Sequence, residues 1–179
     1  SLSCGYTTTV RFMMVPDGSR SNRALMPVTV SLEGMVKKIK AVDSATWKDW
    51  YVRDVETIHG VTVRRFSVQQ MRSRDFQAFD EAYLAELAQG RQNLVTEKEW
   101  FEKHGPYAPD CIRYLRHYRD TYAAILFLSD ANYLTYAGMP LAGNRAVFIP
   151  MAQNTSFLQF SSLESLYQRP REFVFLSEE

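Results

Sequence analysis

Polar side chains of the kinds that hold sugars stand directly after the three most apolar runs of this chain. Ser129, Asp130, Asn132 and Tyr133 follow 123–128 (AAILFL), Gln153 and Asn154 follow 146–150 (AVFIP), and Ser177 closes 172–177 (EFVFLS). Hydroxyl, amide and carboxylate groups beside an aromatic ring are what a carbohydrate or another polyol requires, because they give and accept hydrogen bonds around an apolar ring face. Ser129, Asp130 and Asn154 are also good helix caps, so each can serve a helix end, a ligand or both. A further polar loop, 17–22 (DGSRSN), carries Asp17 and Gly18 after the apolar run 10–15. It is short enough to approach a ligand closely, with a surface turn as the plainer reading.

Other chemistries find little footing. His59 sits in a turn, His104 at a helix end where the helix dipole favours a cation, and His117 on a polar helix face; none has a partner at metal-ligand spacing. The sequence has no G-x-S-x-G elbow, no Cys–His grouping, no G-x-G-x-x-G and no Walker loop. No catalytic residue, metal ligand or cofactor site is therefore assigned, and a flavodoxin-like or nucleotide-binding domain lacks its phosphate cradle.

The elements that must position these residues read as an alternation of strand and helix. Continuous apolar runs suit strands covered on both faces, the condition of a parallel sheet, whose chemistry gathers at the carboxyl ends of the strands. On that basis the polar groups after each run share one rim. Residues 61–68 read as a strand after a His59–Gly60 turn, and 73–89 as a helix capped by Ser73 or Asp75 and stopped at Gly90. Thr96 and Glu99 form a capping box for a helix closed at Gly105, and Pro109 opens another with Cys111, Ile112, Leu115, Tyr118 and Tyr122 on its apolar stripe. Residues 156–168 read as one more helix, stopped by Pro170. The fold class expected is α/β, a Rossmann-like three-layer domain with a mainly parallel sheet.

At 179 residues and 46% hydrophobic content the chain is expected to form a single domain, 1–179, with a proper core. A net charge of +1 gives no reason to expect nucleic acid as a partner. Arg113, Arg116, His117 and Arg119 could meet phosphate, but read more simply as the wet face of a helix. Cys4 and Cys111 make no redox or metal spacing, which points to a reducing, cytoplasmic setting. No run reaches spanning length, and no signal-peptide pattern is present.

Several phrases in order carry a family likeness: 42–68 (VDSATWKDWYVRDVETIHGVTVRRFSV), 94–141 with its Gly-Pro-Tyr-x-Pro turn at Gly105–Pro109, and the tail with Tyr-x-Arg-Pro-Arg before the last run. From about Val42 to Glu179 the chain resembles the amino-terminal domain of family 4 (group 1) glycosyltransferases, whereas 1–41 match poorly. The resemblance implies one half of a GT-B enzyme. This half binds the sugar acceptor, a second domain after Glu179 binds the nucleotide-sugar donor, and transfer in the cleft retains anomeric configuration without a metal. It also implies Asp130, Asn132, Gln153 and Asn154 as acceptor contacts, with Tyr133 against a sugar face. Two departures stand out: only Gly18 occupies the loop where members carry several glycines, and Gln153 stands where a histidine is usual. An amide bonds a hydroxyl but cannot titrate, so a non-catalytic α/β binding module is the alternative. The surface that would meet a second domain is expected to promote self-association.

Overall fold

The computed structural model describes residues 13–16, 49, 54–58, 61–151 and 156–175. Its strands are β1 (Met13–Pro16), β2 (Val55–Ile58), β3 (Val61–Arg64), β4 (Tyr122–Leu128), β5 (Ala146–Ile149) and β6 (Glu172–Phe173). The helices are α1 (Phe76–Leu87), α2 (Leu94–His104), α3 (Pro109–Tyr118), α4 (Tyr133–Ala142) and α5 (Ser161–Tyr167). The three runs singled out for their continuous apolar character do pair in parallel: Leu128 stands opposite Ile149, and Phe148 opposite Phe173. α4 joins β4 to β5 and α5 joins β5 to β6, so the sheet order β1-β4-β5-β6 grows by two strand–helix–strand steps. The fold is thus mixed α/β around a small parallel unit.

Three features depart from the sequence expectation. First, β1 runs antiparallel to β4, with Pro16 opposite Tyr122. Second, β2 and β3 form their own antiparallel hairpin; the alternation of Val61 and Val63 was legible, whereas its partner 55–58 was not read as a strand. Third, the helices among the described residues cover one face of the sheet. Ile125, Phe127, Ala146 and Phe148 are wholly buried against Phe101, Leu115, Met139, Phe160 and Leu163. The alternate residues Leu126, Leu128, Val147 and Ile149 are half-buried. A second helical layer is not found among the described residues.

Local chemistry explains the helix ends. α1 is followed by Gly90 at φ +73°, where the left-handed backbone favours glycine. α2 does not start from the Thr96–Glu99 box. Asn93 caps it one turn earlier, its side chain accepting from the N–H groups of Val95 (2.9 Å) and Thr96 (3.4 Å). Glu97 is thereby free to turn inward. Its buried carboxylate accepts from the N–H groups of Ser161 (2.9 Å) and Ser162 (2.8 Å), which starts α5 at Ser161. That is why 156–168 splits into a 3-10 turn (Ser156–Gln159) and α5, with buried Phe160 between them. Among the described residues no helix is long and apolar enough to cross a membrane.

Candidate functional site

The turn after β4 is held by four hydrogen bonds and one left-handed residue. The Leu128 carbonyl accepts from Thr135 Oγ1 at 3.3 Å. Ser129 takes φ +69°, unusual for a residue with a side chain, and its N–H donates to the Ile149 carbonyl at 3.0 Å. The turn is thus pinned to the end of β5. Asn132 then opens α4, its carbonyl accepting from Tyr136 N–H (3.0 Å), while Tyr133 N–H donates to the Gly105 carbonyl (3.3 Å).

Ser129, Asp130, Asn132 and Tyr133 are therefore brought together, and all four are buried. The Asp130 carboxylate accepts the Tyr167 hydroxyl at 3.0 Å. Burial pushes the Asp130 carboxyl above its ordinary range, opposed by the Tyr167 hydroxyl and the N–H groups of Asp130 and Ala131. Tyr167 is pushed upward in turn, by burial first and then by the Asp130 charge. Burial likewise raises the Tyr133 phenol to about 12; its ring lies 4.8 Å from that of Tyr107. Asn132 is the outlier. It makes no side-chain capping bond, and its Nδ2 has no hydrogen-bond partner. A buried amide left unpaired costs roughly 1–3 kcal/mol.

Behind the turn lies His104, at the end of α2 as the sequence indicates, but neutral rather than a cation favoured by the helix dipole. It is half-buried, stacked on Trp100 at 4.8 Å and 8°, with the edge of Phe76 at 5.3 Å. Burial, then the neighbouring Arg72 charge, lowers its pKa to about 4, and the backbone carbonyls of Gly105 and Ala131 oppose that shift. Arg72 Nη2 lies 3.0 Å from His104 Nε2, and Arg72 Nε donates to the His104 carbonyl at 3.3 Å. A guanidinium only donates, so Nε2 is the acceptor and the ring is neutral with its proton on Nδ1. The imidazole joins the end of α2 to the β4–α4 turn just before the cis Gly105–Pro106 bond. No local pattern announces this, because Arg72 and His104 are 32 residues apart.

Gln153, Asn154 and Ser177 lie outside the described residues, as do Asp17, Gly18 and His59. β1 exits at Pro16 opposite Tyr122, the amino end of β4, and so at the other end of the strand from Ser129. Of the basic residues, Arg113 pairs with Asp110 at 2.9 Å and Arg119 donates to the Leu141 carbonyl at 3.0 Å, as a solvated helix face does. The Cys111 thiol is buried and pushed up to about 12, hence unreactive. A shallow, open depression of about 310 Å³ between α2, α4 and α5 is lined by Tyr136, Pro140, Leu166 and Arg169, and includes none of the turn residues. Among the described residues no cluster of His, Cys, Asp and Glu could hold a metal.

Compared with protein-family models, with curated proteins and with solved structures, the chain finds no match. Function is read from the residues and their geometry. The turn offers one unspent donor, a buried carboxylate–phenol pair and an aromatic ring at the carboxyl end of a parallel strand. Groups of these types hydrogen-bond hydroxyls, but the Tyr133 ring expected against a sugar face is packed in a core cluster with Cys111, Ile112 and Leu134, and the set contains no paired nucleophile and base.

Proposed function

We propose that this chain is the acceptor-binding, Rossmann-like half of a retaining, nucleotide-sugar-dependent glycosyltransferase of the GT-B type, acting in polysaccharide or glycoconjugate synthesis. The observation that carries this reading is the unspent Asn132 amide beside the Asp130–Tyr167 pair, delivered by the parallel β4–β5–β6 unit to the strand ends where α/β folds bind ligands. In transfer, this half contributes position: it fixes the acceptor hydroxyl so that attack on the donor becomes effectively unimolecular. Contacts to the departing diphosphate belong to the second domain. Gln153, at the place of the family's usual histidine, favours the alternative of a non-catalytic module that binds saccharide and transfers nothing.

Saturation-transfer NMR on the chain with maltose, lactose and methyl α-D-mannoside tests the reading. Saccharide signals are expected to receive saturation, to lose it in Asn132→Ala, and to be undisturbed by added UDP-glucose. If UDP-glucose takes up saturation and displaces the sugars, or if no sugar binds, the reading falls.

A further inference from the structure

The depression between α2, α4 and α5 holds about 310 Å³, at the lower end for small-molecule sites, and shares no lining residue with the β4–α4 turn. One wall follows from Pro140 inside α4. A proline has no N–H, so the Tyr136 carbonyl one turn earlier has no donor from that position, and both residues line the depression. The facing wall is α5, where Ser162, Ser165 and Leu166 fall on one side at helical spacing and Arg169 follows the helix end. Ser162 is the deeper of the two serines, its Oγ enclosed without a hydrogen-bond partner; Ser165 is exposed. Leu94, 63% exposed at the start of α2, completes an apolar side with Pro140 and Leu166.

Arg169 is the one charged residue in that lining, and among the described residues no carboxylate pairs with it. Arg171, two residues on, is by contrast paired with Glu172 at 3.2 Å. A guanidinium favours carboxylate or phosphate, because its planar fork donates two parallel hydrogen bonds. Charge decides between them. The Glu97 carboxylate is wholly buried and accepts from Ser162 N–H at 2.8 Å, so one negative charge already stands behind this wall. A single guanidinium in front of it suits a ligand with one negative charge better than one with two. The apolar side then requires an uncharged body on the same molecule. We propose that this depression binds a small carboxylic acid with a compact apolar body. The carboxylate meets Arg169 and the Ser165 hydroxyl, and the body lies against Leu94, Pro140 and Leu166. This site is separate from the acceptor reading and stands or falls without it.

Titrations of the ¹⁵N-labelled chain with benzoate, phenylacetate and hexanoate test this, with acetate, the matching amides and phenyl phosphate as controls. At least one of the three acids is expected to bind about tenfold more tightly than its amide, the size of a charge-assisted hydrogen bond. It should also bind more tightly than acetate, which lacks the apolar body, and than phenyl phosphate. The N–H resonances of Ala137, Ser165 and Leu166 should move as it binds. Arg169→Gln should remove the advantage of acid over amide without changing Tm, since Arg169 is exposed, and Arg169→Lys should keep part of it. Equal binding of acid and amide, an advantage that survives Arg169→Gln, or shifts that gather away from α4 and α5 overturn the site. Binding of none of these acids overturns it as well. Acetate binding as tightly as the larger acids, or phenyl phosphate binding more tightly than any of them, overturns the ligand class.

Discussion

Two buried carboxylates show how this molecule separates holding itself together from binding something else. Glu97, between α2 and α5, is wholly enclosed and fully engaged: Oε1 accepts from Tyr83 Oη (3.2 Å) and Ser161 N–H (2.9 Å), and Oε2 from Ser162 N–H (2.8 Å). Asp130, at the end of β4, is nearly as buried, yet its carboxyl is pushed upward by burial and its neighbour Asn132 keeps an unpaired Nδ2. The first site has the completeness of a structural joint. The second leaves polar capacity unspent at the strand ends, where a ligand would use it.

The contrast can be broken by substitution at each place. Glu97→Ala strands the Ser161 and Ser162 N–H groups between α2 and α5 and is expected to cost about 3 kcal/mol, read as a lowered urea midpoint. His104 gives the next largest effect, through pH. Its folded-state pKa lies near 4 against an ordinary 6.5, so it lends stability above 6.5 that is lost as pH falls toward 4. The loss should amount to roughly 3 kcal/mol, and His104→Gln should flatten that part of the stability–pH curve.

Asn132 and Asp130 should respond in the opposite direction to Glu97. Asn132→Leu replaces the unpaired buried amide by an apolar group of similar size, and is expected to stabilise the chain by about 0.5–1 kcal/mol while weakening sugar binding. Asp130→Asn removes a charge that burial disfavours; a raised carboxyl pKa means stability is lost as pH climbs out of the acidic range. The variant should therefore match the chain at low pH and exceed it at neutral pH, read as a divergence of the two stability–pH curves. A loss comparable to that of Glu97→Ala would place Asp130 among the structural joints.

The same contrast explains what could be read from sequence. The 123–128 run, the polar residues after it, the Pro109 helix start and the Gly90 stop are local signals, and each was legible. The cap of α2 was missed because Asn93 competes with Thr96 and wins once Glu97 is committed to Ser161, 64 residues away. The neutral state of His104 was hidden for a similar reason: its helix-end position was legible, but its stacking and its Arg72 partner come from packing. The unpaired state of Asn132 Nδ2 was invisible too, since residue type gives its capacity and only geometry shows that the capacity is unused.

The most direct measurement follows the Asn132 side-chain amide in a ¹⁵N spectrum while maltose, cellobiose and lactose are added in turn. Its resonances should move with at least one of these sugars, and saturate at the concentration where that sugar's own signals show binding. Amide resonances that stay fixed while a bound saccharide perturbs residues elsewhere would contradict the assignment of this turn as the acceptor site.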